Sequence, residues 1–437
     1  MRGMPAGRAL AAGLLAAAGV VLPSVPAATA TAAATAPRAA APGSCEQAPT
    51  PGVPIPATAP RDPLLEQLGL DHAWPLSTGT GVTVGIVDTG VDPASPKLAG
   101  AVQLGRSYHV VDTKAVYADA PDGRVDCDGH GTEIAGIVAG RTEAGDDRVS
   151  GVAPGASVYP VSIQGDIGQV PSALVAAAIT DAARHASVIN LSFAQPADHD
   201  DIRAAVKYAV AHDVVVVAAS ANEAGGAGGA GGSTRAKQYP AAYPGVLAVA
   251  AVDADDAPVS GASTGSWISI AAPGDSLTTV PRGGKGYVTV TGTSFATGVV
   301  SGAAALLRSR FPHLSAAGVI ARLERSAVPP GDGGRADAVG AGVVDPYAAL
   351  TDARGPASAG PGAAAGRVPI ARTHDDRGDD GHGAIVGTAA VLAALAVVIG
   401  TATISVRAGR RRGWVAGRRR RRAVDEREVR PHPAQLG

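Results

Sequence analysis

Five short uncharged runs, rich in Val, Ile and Ala, recur along the middle of the chain at residues 82–87, 187–191, 214–219, 246–252 and 268–271. Each is too short for a typical helix. None shows the strict alternation of a strand with one wet face, so each reads as a strand buried on both sides. Helical patterns follow at residues 171–184, 200–211, 295–310 and 316–325. Asp200 and Asp201 open the second of these, where the helix dipole favours negative charge, and Ser315 stands at the capping position of the last. Strands alternating with helices predict an α/β fold, an open and mostly parallel sheet with helices on both faces. In such sheets, sites form beyond the carboxyl ends of the strands. Aromatic residues are only 3% of the chain against 46% hydrophobic residues, so Ala, Val, Leu and Ile must fill the core.

The flanks of this domain read differently. Arg2 and Arg8 precede an apolar stretch over residues 9–22 and then small residues, with candidate cleavage after Ala30 or Ala36. That is the pattern of a secretory signal peptide, residues 1–36. Residues 37–63 are Pro- and Ala-rich and cannot build a core, which makes them an extended arm ahead of the main domain at 64–352. Residues 353–383 are rich in Pro, Gly, Ala and Asp and read as a flexible linker. Residues 384–406 carry no charge. A helix of that length crosses the roughly 30 Å hydrocarbon layer with some tilt. Arg407 and the clusters Arg410–Arg412 and Arg418–Arg422 follow at once. The positive-inside rule then puts the tail, 407–437, in the cytoplasm and the main domain outside a single-pass cell-membrane anchor. A polybasic segment beside a membrane span is accounted for without nucleic acid, and none is expected as a partner.

Export fixes the reading of the two cysteines, Cys45 and Cys127. In an oxidising compartment two thiols most simply pair. The bond would close a loop of roughly 80 residues, worth roughly 4–5 kcal/mol in the chain-entropy account, and would lay the arm across the main domain.

Three segments carry chemistry. In Val84-Gly85-Ile86-Val87-Asp88-Thr89-Gly90 an apolar strand ends in a carboxylate, so Asp88 falls at the sheet edge where sites form. In Asp128-Gly129-His130-Gly131-Thr132 glycines on both sides of His130 permit close backbone approach, and an apolar helical run, 134–138, follows. In Gly292-Thr293-Ser294-Phe295-Ala296 a serine sits at a loop-to-helix junction, where unpaired N–H groups and the positive end of the helix dipole favour a developing anion. A hydroxyl nucleophile needs an imidazole to take its proton and a carboxylate to orient that imidazole. Asn222, after the run at 214–219, is placed to donate to the oxyanion beside the Ser294 N–H.

The order Asp, His, Ser and these signatures resemble the subtilisin-like serine proteases. The resemblance extends to Gly151-Val152-Ala153-Pro154-Gly155-Ala156, to Val188-Ile189-Asn190-Leu191-Ser192, and to Gly340-Ala341-Gly342-Val343-Val344-Asp345. It implies a subtilisin-like fold and an endopeptidase with Asp88, His130 and Ser294 as catalytic residues, needing no cofactor. It also implies that Ser192, Phe193 and Ala194 pair with bound protein or peptide substrate. The signal peptide, the Cys-bearing arm, Asp126-Cys127-Asp128 and the C-terminal span further resemble the mycosins, membrane-anchored subtilases of type VII secretion. By that likeness the chain would cleave exported proteins and associate with secretion subunits. The alternative is a weakly active structural component of a membrane secretion complex.

The chain departs from the family pattern at several positions. Gly298 stands where the family has Pro, which predicts a looser start to the last long helix. Ala194 stands where the family has Gly and predicts a narrowed cleft, preferring small or extended substrate side chains. Ser220-Ala221-Asn222 replaces the usual Ala-Gly-Asn. No metal site is read: Asp112, Asp119 and Asp122 lie in a loop taken as solvated. Glu133 is expected to be exposed on its helix, and His72, His109, His185, His199 and His212 to be structural or superficial. The run 225–233, nearly all Gly and Ala, reads as a mobile loop.

Overall fold

The apolar runs fold into one eight-stranded sheet, β1 (Thr83–Asp88), β2 (Arg106–Val111), β3 (Lys114–Tyr117), β4 (Ser157–Ile163), β5 (Val188–Leu191), β6 (Val215–Ala219), β7 (Val246–Val252) and β8 (Ile270–Pro273). A separate ribbon pairs β9 (Leu277–Thr279) with β10 (Val288–Val290) antiparallel. The helices are α1 (Pro63–Gln67), α2 (Leu70–Ala73), α3 (His130–Ala139), α4 (Ser172–His185), α5 (Asp200–Ala211), α6 (Thr293–Arg310), α7 (Ala316–Ser326) and α8 (Pro346–Thr351). This computed structural model describes residues 45, 49, 51–56, 59–111, 114–117, 122–142, 148–165, 169–221, 235–331 and 335–353. The expected signal peptide, linker, membrane span and basic tail lie outside the described residues, as do Asn222, Asp112, Asp119 and the 225–233 run. Among the described residues no helix is long and apolar enough to cross a membrane.

The sheet order is β3-β2-β4-β1-β5-β6-β7-β8, parallel throughout except for the edge pair β2–β3. From β1 the chain skips a place to β2, turns to β3 at the edge and returns to β4 beside β1. It then crosses to β5 and walks away on the other side to β8. The strand order therefore reverses between β1 and β5, and the crevice at their carboxyl ends is where such a sheet takes its ligand. Asp88 closes β1 and Ser192 follows β5, so both candidate segments fall at that reversal.

Alternation along the strands builds two large cores and a smaller one around Ala250, Val252, Ile268 and Ala271. Val84, Ile86, Val188, Val215, Val217, Leu247 and Val249 face the layer containing α3, α6 and α7. Val87, Val161, Ile189, Leu191, Val216 and Ala248 face α4 and α5. The helix ends follow local chemistry: the Ser315 hydroxyl accepts the Gly318 N–H at 3.1 Å at the start of α7. Gly298 does not interrupt α6, which runs unbroken from Thr293 to Arg310.

Strand β4 was hidden in the sequence because Pro160 sits at its centre, in register with Ile86. The ladder to β2 leaves room for it. Pairing holds at Val102–Val158 and resumes at Arg106–Val161. Between them Gly105 comes so close that a Cβ there would lie 1.7 Å from the Pro160 carbonyl oxygen.

The described part of the arm lies on the main domain. Val53 pairs antiparallel with Tyr287, and the Gly52 N–H donates to the Lys285 carbonyl at 2.8 Å. Further back, Cys45 and Cys127 form a disulfide with Cα atoms 5.2 Å apart.

Candidate active site

Asp88 ends β1 and is 2% exposed. Its Oδ1 accepts the Thr89 N–H at 2.8 Å and lies 2.8 Å from His130 Nδ1. A carboxylate can only accept, so Nδ1 carries the proton and Nε2 is left free to take one.

His130 is the first residue of α3, and its position is set by unusual backbone on both sides. Gly129 has φ 113°, a conformation other residues rarely adopt. A Cβ on Gly131 would lie 2.0 Å from the Gly90 carbonyl oxygen, so only glycine lets α3 approach the end of β1 this closely.

The group that organises this junction is Asp126, 4% exposed. Its Oδ1 accepts from the Gly129 N–H at 2.7 Å, the Thr89 hydroxyl at 2.9 Å and the Asp128 N–H at 3.1 Å. Its Oδ2 accepts from the Thr132 hydroxyl at 2.6 Å and the Thr132 N–H at 2.9 Å. The Thr89 hydroxyl in turn accepts the Gly131 N–H at 3.0 Å. The loop after β1 and the first turn of α3 are thus tied through one carboxylate. Burial pushes that carboxyl up, and these hydrogen bonds oppose it.

Sequence reasoning did not assign Asp126 this role. The available signal was an Asp three residues ahead of the Gly129 cap and six ahead of Thr132, the spacing of a side chain that caps a helix start.

Burial favours the neutral His130 ring, whereas Asp88, then Glu133 and Asp128, favour the imidazolium. The ring is pushed up from 6.5 to about 9. Glu133 corrects an expectation: it is half-buried rather than exposed. Burial first, then the neighbouring Asp126, Asp128 and Asp88, push its carboxyl up to about 7, against the pull of His130.

Ser294 is the second residue of α6 and half-buried. The first-turn N–H groups of a helix have no carbonyl of their own helix to bond. Its hydroxyl donates to the Ser192 carbonyl at 3.0 Å, and the Ser192 hydroxyl donates back to the Ser294 carbonyl at 2.8 Å. Phe295, 7% exposed, packs on the His130 ring with centroids 5.3 Å apart and planes tilted by 56°. The structure therefore joins Asp88 to His130 directly. It brings the Ser294 segment against His130 through Phe295, and it holds the Ser294 hydroxyl on Ser192 rather than on the imidazole.

Ser192, Phe193 and Ala194 continue straight from β5; the first two are buried and Ala194 is half-buried. Gln195 next exchanges main-chain hydrogen bonds with Tyr239 at 2.9 and 2.8 Å, which fixes the course of this edge. Asn222 lies outside the described residues, but Ala221 just before it has φ 84°, left-handed backbone at a residue that is not glycine.

The other polar candidates are engaged elsewhere. His185 stacks on Tyr159 with centroids 4.4 Å apart, His212 packs on Tyr208 at 3.9 Å, and Asp122 pairs with Arg124. Among the described residues no group of three or more His, Cys, Asp or Glu is arranged to hold a metal ion.

Comparison with known proteins gives a consistent picture. The chain matches the Subtilase family over residues 79–342. It is similar to Mycosin-3 of Mycobacterium tuberculosis, 34% identical over 414 residues, covering 82% of this chain and 86% of that protein. Its structure resembles that of MycP1, described as a serine protease and an essential component of the type VII (ESX-1) secretion system. That match has a TM-score of 0.60 at 31% identity and covers 70% of this chain and 94% of the other. It also resembles a chain of an intact ESX-5 inner membrane complex, with a TM-score of 0.60 at 29% identity, covering 82% of this chain and 94% of that one.

Proposed function

This chain belongs to the subtilase family, as a serine endopeptidase of the mycosin type, and from that premise we propose that it cleaves exported proteins by acyl-enzyme chemistry at Asp88, His130 and Ser294. The observation that carries the reading is the 2.8 Å contact of Asp88 with His130 Nδ1, made where the strand order reverses and against the segment that opens α6.

In this reading substrate lies along Ser192, Phe193 and Ala194. The Ser294 hydroxyl turns from the Ser192 carbonyl toward His130 Nε2. Such catalytic hydrogen bonds commonly tighten only once substrate is bound. Ser294 Oγ then attacks the scissile carbonyl carbon as its proton passes to Nε2, and Asp88 stabilises the imidazolium. The oxyanion is met by the Ser294 N–H and the Asn222 amide. Losing one such donor costs about 100- to 1000-fold in rate, a magnitude taken from a subtilisin. Collapse expels the amine with the proton from His130, and water repeats the sequence to release the acid and restore Ser294. Ala194 in place of Gly narrows the cleft toward small or extended side chains.

The membrane span at 384–406 would hold this domain on the outer side of the cell membrane, beside the subunits of a type VII secretion complex. The likeness to a chain of such an inner membrane complex supports that setting. Mass spectrometry of exported proteins from cells carrying the wild type or Ser294→Ala tests the whole reading. New amino termini present only with the wild type are expected, and identical exported termini in both strains contradict cleavage.

A second reading, a weakly active structural component, is favoured by the Ser294 hydroxyl resting on Ser192. It predicts normal secretion in the Ser294→Ala strain and failed secretion when the chain is deleted.

A further inference from the structure

Asn190 is a full amide at 0% exposure in the middle of the sheet, paired in register with Ile86 on one side and Val217 on the other. A buried amide is costly unless its hydrogen bonds are met, and an apolar residue of the same size would fill the place without that cost. Its bonds are met by a chain of side chains. The Ser301 hydroxyl of α6 donates to Asn190 Oδ1 at 2.9 Å. Asn190 Nδ2 donates to Ser192 Oγ at 2.8 Å. The Ser192 hydroxyl donates to the Ser294 carbonyl at 2.8 Å, and the Ser294 hydroxyl returns to the Ser192 carbonyl at 3.0 Å.

The directions are forced. Ser192 has one hydroxyl proton and a carbonyl cannot donate, so that proton goes to the Ser294 carbonyl oxygen. Ser192 Oγ must then accept from Asn190, which puts the amide NH2 toward Ser192 and leaves its oxygen for Ser301. Ser301 itself is buried at 0% exposure and lies two helical turns beyond Ser294 on α6. Asn190 therefore grips α6 at two levels. One is deep in the core at Ser301, and the other is at the helix start, where Ser192 holds the main chain of Ser294.

We propose that Asn190, acting through Ser192 and Ser301, is a positioning residue for the nucleophile: it fixes the register of the α6 start against the edge formed by Ser192, Phe193 and Ala194. The inference rests on the reading of Ser294 as nucleophile. None of these links touches His130, so the network acts on where the hydroxyl stands and not on the proton acceptor.

The test uses the purified full-length chain in detergent. Asn190→Leu/Ser301→Ala removes the amide together with the hydroxyl it would strand. Folding is followed by circular dichroism and thermal melting, turnover on a fluorogenic peptide, and nucleophile reactivity by the rate of labelling with a fluorophosphonate. The double variant is expected to melt cooperatively while kcat and the labelling rate fall about 10- to 100-fold, the scale of a reacting group moved out of line. KM is expected to change by less than about threefold, as for an interaction that serves the transition state. The acid limb of the pH–rate profile should stay in place. A cooperatively folded double variant with wild-type kcat and labelling rate overturns the proposal.

Should that variant not fold, Ser192→Ala, which removes both hydrogen bonds of the Ser192 hydroxyl and leaves the Ser301–Asn190 bond in place, is judged by the same outcomes. Ser294→Ala separates the two claims. If it is still labelled, the nucleophile is misassigned and the proposal falls with it. If it is not labelled but the double variant behaves as wild type, the positioning role alone fails.

Discussion

The proton on His130 gives the account its sharpest consequence. Two opposed effects act on the ring: burial favours the neutral form, and the Asp88 carboxylate at 2.8 Å, backed by Glu133 and Asp128, favours the cation and wins, at about 9 against the ordinary 6.5. That distance corresponds to about 3 kcal/mol of preference for the charged ring in the folded protein. The sign for stability follows from linkage. The folded value lies above the unfolded one, so the contribution is complete below about pH 6.5 and is lost as pH rises through about 9. The proposed catalysis runs the other way, because in it only the neutral ring can accept the Ser294 proton.

Between pH 6.5 and 9, therefore, kcat/KM should rise while thermal stability falls. Replacing Asp88 by Asn removes the main force favouring the cation and leaves burial opposed only by the smaller pull of Glu133 and Asp128. The acid limb should then drop well below that of the wild type even as the rate falls by about 10,000-fold through loss of the productive tautomer. Glu133→Gln, which removes a smaller contribution, should shift the limb downward slightly with little loss of rate. The assay is kcat/KM on a fluorogenic peptide across pH 5–10, with His130 followed by NMR in the inactive Ser294→Ala background. A wild-type limb at or below pH 6.5, or an Asp88→Asn limb at or above that of the wild type, refutes the reasoning.

Other perturbations test the packing around the site. At Gly298 a Cβ would meet Ile137 and Ile134 side chains at 3.4 and 3.6 Å, ordinary contact distances. Gly298→Ala should therefore stabilise by about 1 kcal/mol through helix propensity, read as a higher Tm. At Gly302 a Cβ would lie 2.6 Å from the Val152 Cβ, so Gly302→Ala should lower Tm, costing about 1–3 kcal/mol by overpacking. Ala221→Gly relieves left-handed backbone beside Asn222 and should stabilise by about 0.5–1 kcal/mol in a denaturant titration. Replacing Cys45 and Cys127 by Ser opens a loop spanning 82 residues. In the chain-entropy account that costs about 4–5 kcal/mol, to be measured by urea unfolding with and without reductant.

What could be read ahead of the structure followed from burial. Strands β1 and β5 to β8 are covered on both faces, so their sequences are apolar runs, and α4 and α5 showed both their periodicity and their starts. Strand β4 does not show in the apolar pattern, only in the family resemblance of the segment before it, because Pro160 argues against a central strand and only the break in the ladder beside Gly105 makes it tolerable. Strands β2 and β3 carry polar residues at the sheet edge, where apolar patterning is weak. Within the proposed site, Asp88, His130 and Ser294 stand out in the sequence because glycines and a helix start frame the last two and an apolar strand leads into the first. Asp126 and Asn190 do not. Asp126 showed only its capping spacing ahead of Gly129 and Thr132, while its bond to Thr89, 37 residues away, and that of Asn190 to Ser301, 111 residues away, have no local mark. Glu133 was misjudged for the same reason, since its burial comes from what packs over α3.

The claim on which all of this depends is that Ser294 is a reactive nucleophile. Labelling the folded, full-length protein with a fluorophosphonate and mapping the adduct by peptide mass spectrometry tests it most directly. The account predicts one adduct per chain, on Ser294, and none in Ser294→Ala. A folded wild type that takes no label, or takes it at another residue, contradicts the account.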